Sequence, residues 1–281
     1  MEDLNYFDSE KIKINLDDSL VKKVDLKIYP QISSTNSEAK NYITNSNNLD
    51  SIFDSNKFIF LAADSQYSGR GRRGKSWLSE SPASLSASFL FKAEGKIERI
   101  PQLTAAAALA LNKTLNYFNL SNLIKWPNDI LVNNKKICGI LSELVFSPEK
   151  EAFVVIGCGL NLNNSSFESS ISKQATSYYI EKGEKINKNI FSARLIENMY
   201  SYVKQYFQGG RKRIISQWKN KLNLKSKKID LVYKNQKKTG IIKDILDSGE
   251  LLVDFDNNNE KVLSSLYTSL DYDSLYKYNK M

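Results

Sequence analysis

The 281 residues include no histidine, two cysteines, five prolines and no apolar run long enough to span a membrane. Each shortage removes a class of function. Without imidazole there is no Ser-His or Cys-His nucleophile pair and no histidine metal site. Cys138 and Cys158 both sit in apolar segments, so two buried free thiols are expected rather than a disulfide, which suits a reducing cytoplasm. The N-terminus is acidic and polar and carries no signal-peptide pattern. What remains is chemistry by positioning and by charge neutralisation, which arginine, lysine and backbone amides can supply.

Cations are plentiful, 40 Lys and Arg against 31 Asp and Glu for a net charge of +9. Between Arg211 and Lys243 stand twelve bases and one acid, Asp230, a local +11 that leaves the rest near −2. Such a run reads first as a solvated face, second as a surface that steers an acidic partner, and third as a nucleic-acid patch.

The most informative segment runs from Gln66 to Trp77, where Gly69 to Lys75 holds three glycines and four cations. Glycine lets backbone N–H groups approach an anion, and the cations add charge-assisted hydrogen bonds. Gly69 to Ser76 fits the P-loop pattern G-x-x-x-x-G-K-[ST], which requires a strand before it and a helix after it. Lys57 to Ala63 supplies the strand, but Ser84 to Phe91 alternates like a second strand and no helix intervenes. The pattern therefore predicts an anion-binding loop between two strands, disordered until a ligand neutralises it.

A second constellation spans Leu123 to Val145. Asn133-Asn134 separates two apolar runs and signals a hairpin. Pro127 would interrupt a ladder, so Trp126 to Asp129 is expected to bend and expose Asn128 and Asp129. Pro101 to Leu120 and Asn189 to Gln208 read as helices, the latter stopped by Gly209-Gly210, and Arg211 to Leu222 as a shorter one. From Lys228 the chain turns to short strands at Lys228 to Tyr233, Thr239 to Ile245 and Glu250 to Phe255, the pattern of a small barrel.

Ser34-Thr35-Asn36, Gln66, the Gly69 to Trp77 loop, Lys125-Trp126-Pro127-Asn128-Asp129, Lys136 with Gly139-Ile140-Leu141 and Glu143, and Ile156 to Asn163 together resemble the biotin–protein ligase family, over about residues 29 to 275. Lys75 stands where the family usually carries Arg, which keeps charge but loses bidentate geometry. The resemblance implies an α+β fold: a mixed β-sheet catalytic domain with flanking helices plus a small C-terminal SH3-like β-barrel. Boundaries follow at 1–28 for a short extension, 29–224 for the catalytic domain and 225–281 for the barrel. Lys11 to Leu26 reads as one short element, too little for a three-helix DNA reader, so no operator binding is expected.

The implied reaction joins biotin to ATP as biotinyl-5′-AMP and then passes biotin to a lysine of a biotin carboxyl carrier protein of acetyl-CoA carboxylase. By the same resemblance Ser34, Thr35, Asn36 and Gln66 hold the biotin head group, while Thr35-x-x-Glu38 also reads as a capping box. Arg70, Gly71 and Arg72 cover biotin and the adenylate phosphate, and Lys136 bridges carboxylate and α-phosphate. Lys75, Trp77, Asn128 and Asn161 serve the nucleotide, with a core role for Trp77 equally open. Asp129 is a Mg²⁺ ligand or a loop organiser. Gly157 and Gly159 read as a strand end that a ligand approaches closely. A homodimer through a sheet edge is a further implication. The alternatives are a lipoate or octanoate ligase or transferase of the same fold and, more distantly, a nucleic-acid module or P-loop kinase.

Overall fold

The computed structural model describes residues 4–46, 49–53, 57–77, 79, 82–94, 102–255 and 259–279. In chain order it begins with α1 (Ser9–Ile14), α2 (Asp18–Val21), β1 (Val24–Ile32), α3 (Thr35–Asn45), α4 (Leu49–Ile52), β2 (Phe58–Gln66) and β3 (Ser84–Lys92). There follow α5 (Leu103–Tyr117), β4 (Leu123–Lys125), β5 (Asp129–Val132), β6 (Lys135–Phe146), β7 (Ala152–Asn161) and α6 (Tyr178–Lys182). The chain closes with α7 (Lys188–Gln205), α8 (Arg211–Leu222), β8 (Lys228–Tyr233), β9 (Gln236–Ile245), β10 (Leu251–Asp254), β11 (Glu260–Leu263), β12 (Thr268–Asp271) and α9 (Asp273–Tyr278).

Seven strands form one sheet in the order β1-β2-β3-β7-β6-β5-β4. Only β1 and β2 pair in parallel; the other neighbours are antiparallel. Alternation along β2 splits the core. Ile59 and Leu61 face a cluster with Ala39 and Ile43 of α3, while Phe58 and Phe60 face the larger one with α5 and α7. Helices thus cover both faces, and β3 is buried from Ser84 to Phe91 although its sequence alternates. Ala105 to Ala108 are all buried, small enough to bring α5 against α7.

The C-terminal strands form a separate antiparallel sheet in the order β11-β10-β9-β8-β12, a four-strand meander with the fifth strand returning beside the first. This is the small second unit expected from the pattern. Its last two strands lie outside the three read from sequence.

Several boundaries move. Pro101 lies outside the described residues, and its helix runs from Leu103. Gln205 ends α7, and a wide turn with Gly209 at φ +90° leads into α8. Ahead of residue 28 stand two short helices and the start of β1, not one element. Residues 4–8 are fastened to the base of α7: Lys188 N donates to the Leu4 carbonyl, and Asn189 bonds both Tyr6 O and Asp8 N. Lys188 itself is fully buried, 3.6 Å from Asp64 and 4.0 Å over the Phe7 ring. The basic stretch falls on the solvent side of α8 and the strands after it, with Ile214, Ile215, Trp218 and Leu222 turned inward.

The two units meet at Trp126. Its backbone N–H donates to Tyr272 Oη at 2.8 Å and its indole N–H to the Gly249 carbonyl at 2.8 Å. Both residues are buried, at 1% and 4% exposure. Tyr272→Phe leaves the Trp126 amide without its acceptor, and equilibrium urea denaturation should show a loss of about 1–3 kcal/mol. An unchanged midpoint would mean that the junction is solvated.

Candidate active site

A cavity of about 950 Å³ opens between the large sheet, the glycine–arginine loop and the C-terminal unit. Its wall includes all thirteen residues to which the resemblance gave a place in the site: Ser34, Thr35, Asn36, Gln66, Arg70, Gly71, Arg72, Lys75, Trp77, Asn128, Asp129, Lys136 and Asn161. Residues 66–77 and 123–136, far apart in sequence, therefore share one site.

One end is neutral and polar. Ser34 caps α3, its hydroxyl accepting from Ser37 N at 3.5 Å, so the cap lies one residue before the Thr35 expected. That frees Thr35 for the cavity: its N–H donates to Gln66 Oε1 at 2.7 Å, and its Oγ1 lies 2.8 Å from Ser88 Oγ. Ser88 also donates to Asn36 Oδ1 at 2.6 Å, and Asn36 Nδ2 donates to Glu143 at 2.9 Å and to the Leu141 carbonyl at 3.2 Å. Strands β3 and β6 thus fix the Asn36 amide of α3. Gly157 lies within β7, not at its end, and a Cβ there would overlap Asn36 Oδ1.

The other end is an aromatic seat. Gly139 of β6 and Gly159 of β7 are cross-strand partners, and the Trp77 indole lies on them, so Trp77 is a cavity wall rather than a core residue. Its buried Nε1 has no partner among the described residues. Lys136 Nζ sits 5.4 Å from the ring centroid and 2.8 Å from Asp129 Oδ1, which has no other partner among the described residues. The Asn133-Asn134 turn, at φ +48° and +63°, is the hairpin that brings Asp129 and Lys136 together. Asn128 and Asp129 are half-buried in the wall rather than exposed, and Asn128 Nδ2 donates to the Ile140 carbonyl at 2.7 Å. Asn161 Nδ2 donates to the Thr176 carbonyl at 3.0 Å.

Arg70, Arg72 and Lys136 are among the cations of the wall. The loop that carries two of them is folded, contrary to expectation. Gly71 N donates to Lys75 O at 2.7 Å and Trp77 N to Gly69 O at 2.9 Å. Protein acceptors meet its cations: Arg70 bonds Glu143 at 3.3 Å, and Arg72 bonds Asn128 at 3.1 Å and Ser265 Oγ at 2.8 Å. Arg73 reaches the Ser265 and Thr268 carbonyls, while Lys75 is exposed at the rim. Burial and the charge of Arg73 lower the Arg72 pKa against the pull of Asp129. No helix follows Ser76 among the described residues before β3, which removes the P-loop.

Sequence reasoning missed two parts of the wall. The turn before β12 holds the loop through Ser265, and Thr268 to Asp273 line the cavity. Residues 174–176 pair with Lys136, whose N–H donates to Gln174 O at 2.7 Å. Neither carries a local signal. Burial raises the Cys138 thiol well above its ordinary pKa and pushes Cys158 up to about 12, so both are inert. Among the described residues no group of three Asp, Glu, Cys or His could hold a metal.

The arrangement suits a ligand with a neutral polar head, an anionic middle and a flat ring. Residues 29–161 match the biotin/lipoate A/B protein ligase family. That stretch is a domain of this family. Over 256 residues the chain is 27% identical to the bifunctional ligase/repressor BirA of Salmonella typhimurium, covering 91% of this chain and 76% of that protein. It is 32% identical to a biotin–[acetyl-CoA-carboxylase] ligase of Paracoccus denitrificans over 128 residues, 44% of this chain and 53% of that one. The chain thus spans about three quarters of the first relative and about half of the second. The fold is that of the biotin protein ligase from Aquifex aeolicus, solved with biotin and ATP, at a TM-score of 0.70 and 23% identity, covering 88% of this chain and 98% of that one.

Proposed function

We propose that the chain is an ATP-dependent biotin–protein ligase that forms biotinyl-5′-AMP and transfers biotin to a lysine of a biotin carboxyl carrier domain. The observation that carries this is the polar floor around Asn36. A ureido ring offers two N–H donors and a carbonyl, and Ser34, Thr35, Asn36 and Gln66 offer matching partners from a rigid network. A dithiolane or an alkyl chain carries neither the N–H donors nor the carbonyl and would forgo those hydrogen bonds. A lipoate or octanoate enzyme is therefore the weaker reading.

In the first step a biotin carboxylate oxygen attacks the α-phosphorus as the bond to pyrophosphate breaks. Lys136 and Arg72 neutralise the charge gathering on the phosphoryl oxygens, and Arg70 and Gly71 close over the junction. The Trp77 seat, Asn128, Asn161 and Lys75 orient the nucleotide. In the second step the acceptor amine attacks the carbonyl, AMP leaves and the amine proton passes to water. No covalent enzyme intermediate is needed, in keeping with a chain without histidine. A half-buried carboxylate, Asp129, would suit Mg²⁺ carried in by ATP rather than a resident metal, and the ion would supply further charge neutralisation. We assign the catalytic unit to residues 29–224 and the C-terminal unit to 225–281, with the loop held between them by Ser265. The helices ahead of β1 are four to six residues long and supply no recognition helix, so we assign residues 4–23 no DNA-reading role.

Exchange of labelled pyrophosphate into ATP, without acceptor protein, tests the reading. It should depend on biotin and be absent with lipoate or octanoate. Exchange with lipoate alone would move the activity to the neighbouring class, and none with any acid would remove the adenylation step.

A further inference from the structure

Glu143, on β6, binds three groups at once. Oε2 accepts from Asn36 Nδ2 at 2.9 Å, and Oε1 accepts from Lys40 Nζ at 2.5 Å and from Arg70 Nη2 at 3.3 Å. Its side chain is 17% exposed, that of Arg70 46%. Burial pushes the carboxyl pKa up, but hydrogen bonds from Lys40 and Asn36 and the charges of Lys40 and Arg70 outweigh it and hold the pKa below the ordinary value. The group is an anion at neutral pH. It touches a cation that the functional proposal places over another anion.

We propose that Glu143 is the internal counterion of Arg70: it holds the guanidinium while the site is empty, and an incoming carboxylate must take Arg70 from it. This deepens the ligase proposal and rests on it. Three observations converge. First, the loop is folded, with Arg70 joined to the wall through Glu143. Second, Glu143 keeps Lys40 when Arg70 leaves, so the exchange does not strand a partly buried charge. Third, the same design recurs across the cavity, where Asp129 holds Lys136 at 2.8 Å. Ligand binding then swaps a protein carboxylate for a ligand anion on each cation.

The consequence is specificity by charge. An acid replaces what Arg70 gives up; an uncharged molecule with the same head group does not. Glu143 is thus a positioning residue that selects the free acid over its amide or ester. Repulsion alone would also disfavour anions, so the two must be separated through Arg70.

Titration calorimetry with biotin and with its primary amide, on the full chain, tests this. Glu143→Gln keeps an acceptor for Asn36 but removes the charge. It should tighten the acid by roughly threefold, the size of a partly exposed ion pair, and leave the amide unchanged. The gain should vanish when Arg70→Gln is combined with it. Equal gain in that background would make Glu143 a simple repulsive charge, and parallel weakening of acid and amide would make it a prop for Asn36; either overturns the proposal. If Glu143→Gln does not fold, Lys40→Met serves. It leaves Glu143 wholly to Arg70 and should weaken the acid, again only with Arg70 present; unchanged acid binding overturns the proposal. Wild-type protein that binds neither compound would overturn the ligase proposal itself, a distinct result.

Discussion

Lys136→Ala should lower biotin-dependent pyrophosphate exchange by about 10²–10³-fold, the loss seen when one preorganised charge donor leaves a reaction centre. Lys136 stands at the start of β6, beyond the Asn-Asn turn that fixes its direction, and its ammonium lies between the Asp129 carboxylate and the Trp77 ring. Removing it deletes a cation and also leaves Asp129 Oδ1 bare beside the incoming phosphates, so repulsion adds to the loss. The fold should survive. The Lys136 side chain is 37% exposed and that of its partner 21%, and ion pairs this accessible contribute about 1 kcal/mol or less. Exchange assays beside a thermal melt separate the two effects. Near-normal exchange would take Lys136 out of the mechanism; collapse of the melt would make its role structural.

How far the chain could be read in advance depends on how local each signal is. The Asn133-Asn134 hairpin, the strands on either side of the glycine–arginine loop and the glycine stop after α7 follow from residues a few positions apart. The thirteen wall residues came from motif resemblance, and the fold brings them all to one cavity. The parts that escaped depend on distant partners. Ser265 holds Arg72 across 193 positions, and Tyr272 accepts from Trp126 across 146. Nothing in Ser264-Ser265-Leu266-Tyr267 announces this. β11 and β12 are four residues each, too short for a period to show. The loop was expected to be disordered because its cations were weighed without the acceptors that Glu143, Asn128 and Ser265 supply. Ser34 rather than Thr35 caps α3 because Thr35 is drawn to Gln66 and Ser88, a tertiary preference over a local one.

Gly157→Ala should weaken biotin binding by about 10²-fold and also lower the thermal midpoint, because the overlap falls on a buried amide of the site. A Cβ at 157 would meet Asn36 Oδ1, Cγ and Nδ2. Asn36 has no room to yield: it is 4% exposed, it accepts from Ser88, and it donates to Glu143 and to Leu141 O. Overpacking of this kind costs about 1–3 kcal/mol, and turning the amide away adds about 1–3 kcal/mol for partners left unpaired. Both penalties fall on the pocket floor that would hold the ureido ring. Alanine suits a strand backbone here, since Gly157 is not at positive φ, so conformational strain is not the cause. A double-mutant cycle decides between overlap and a general loosening of β7. If the overlap with Asn36 is the cause, Asn36→Ala already forfeits the amide and makes room for the methyl group, so adding Gly157→Ala should cost little more. Full additivity would place the damage elsewhere in β7 and withdraw Asn36 as the residue that makes a glycine necessary at 157.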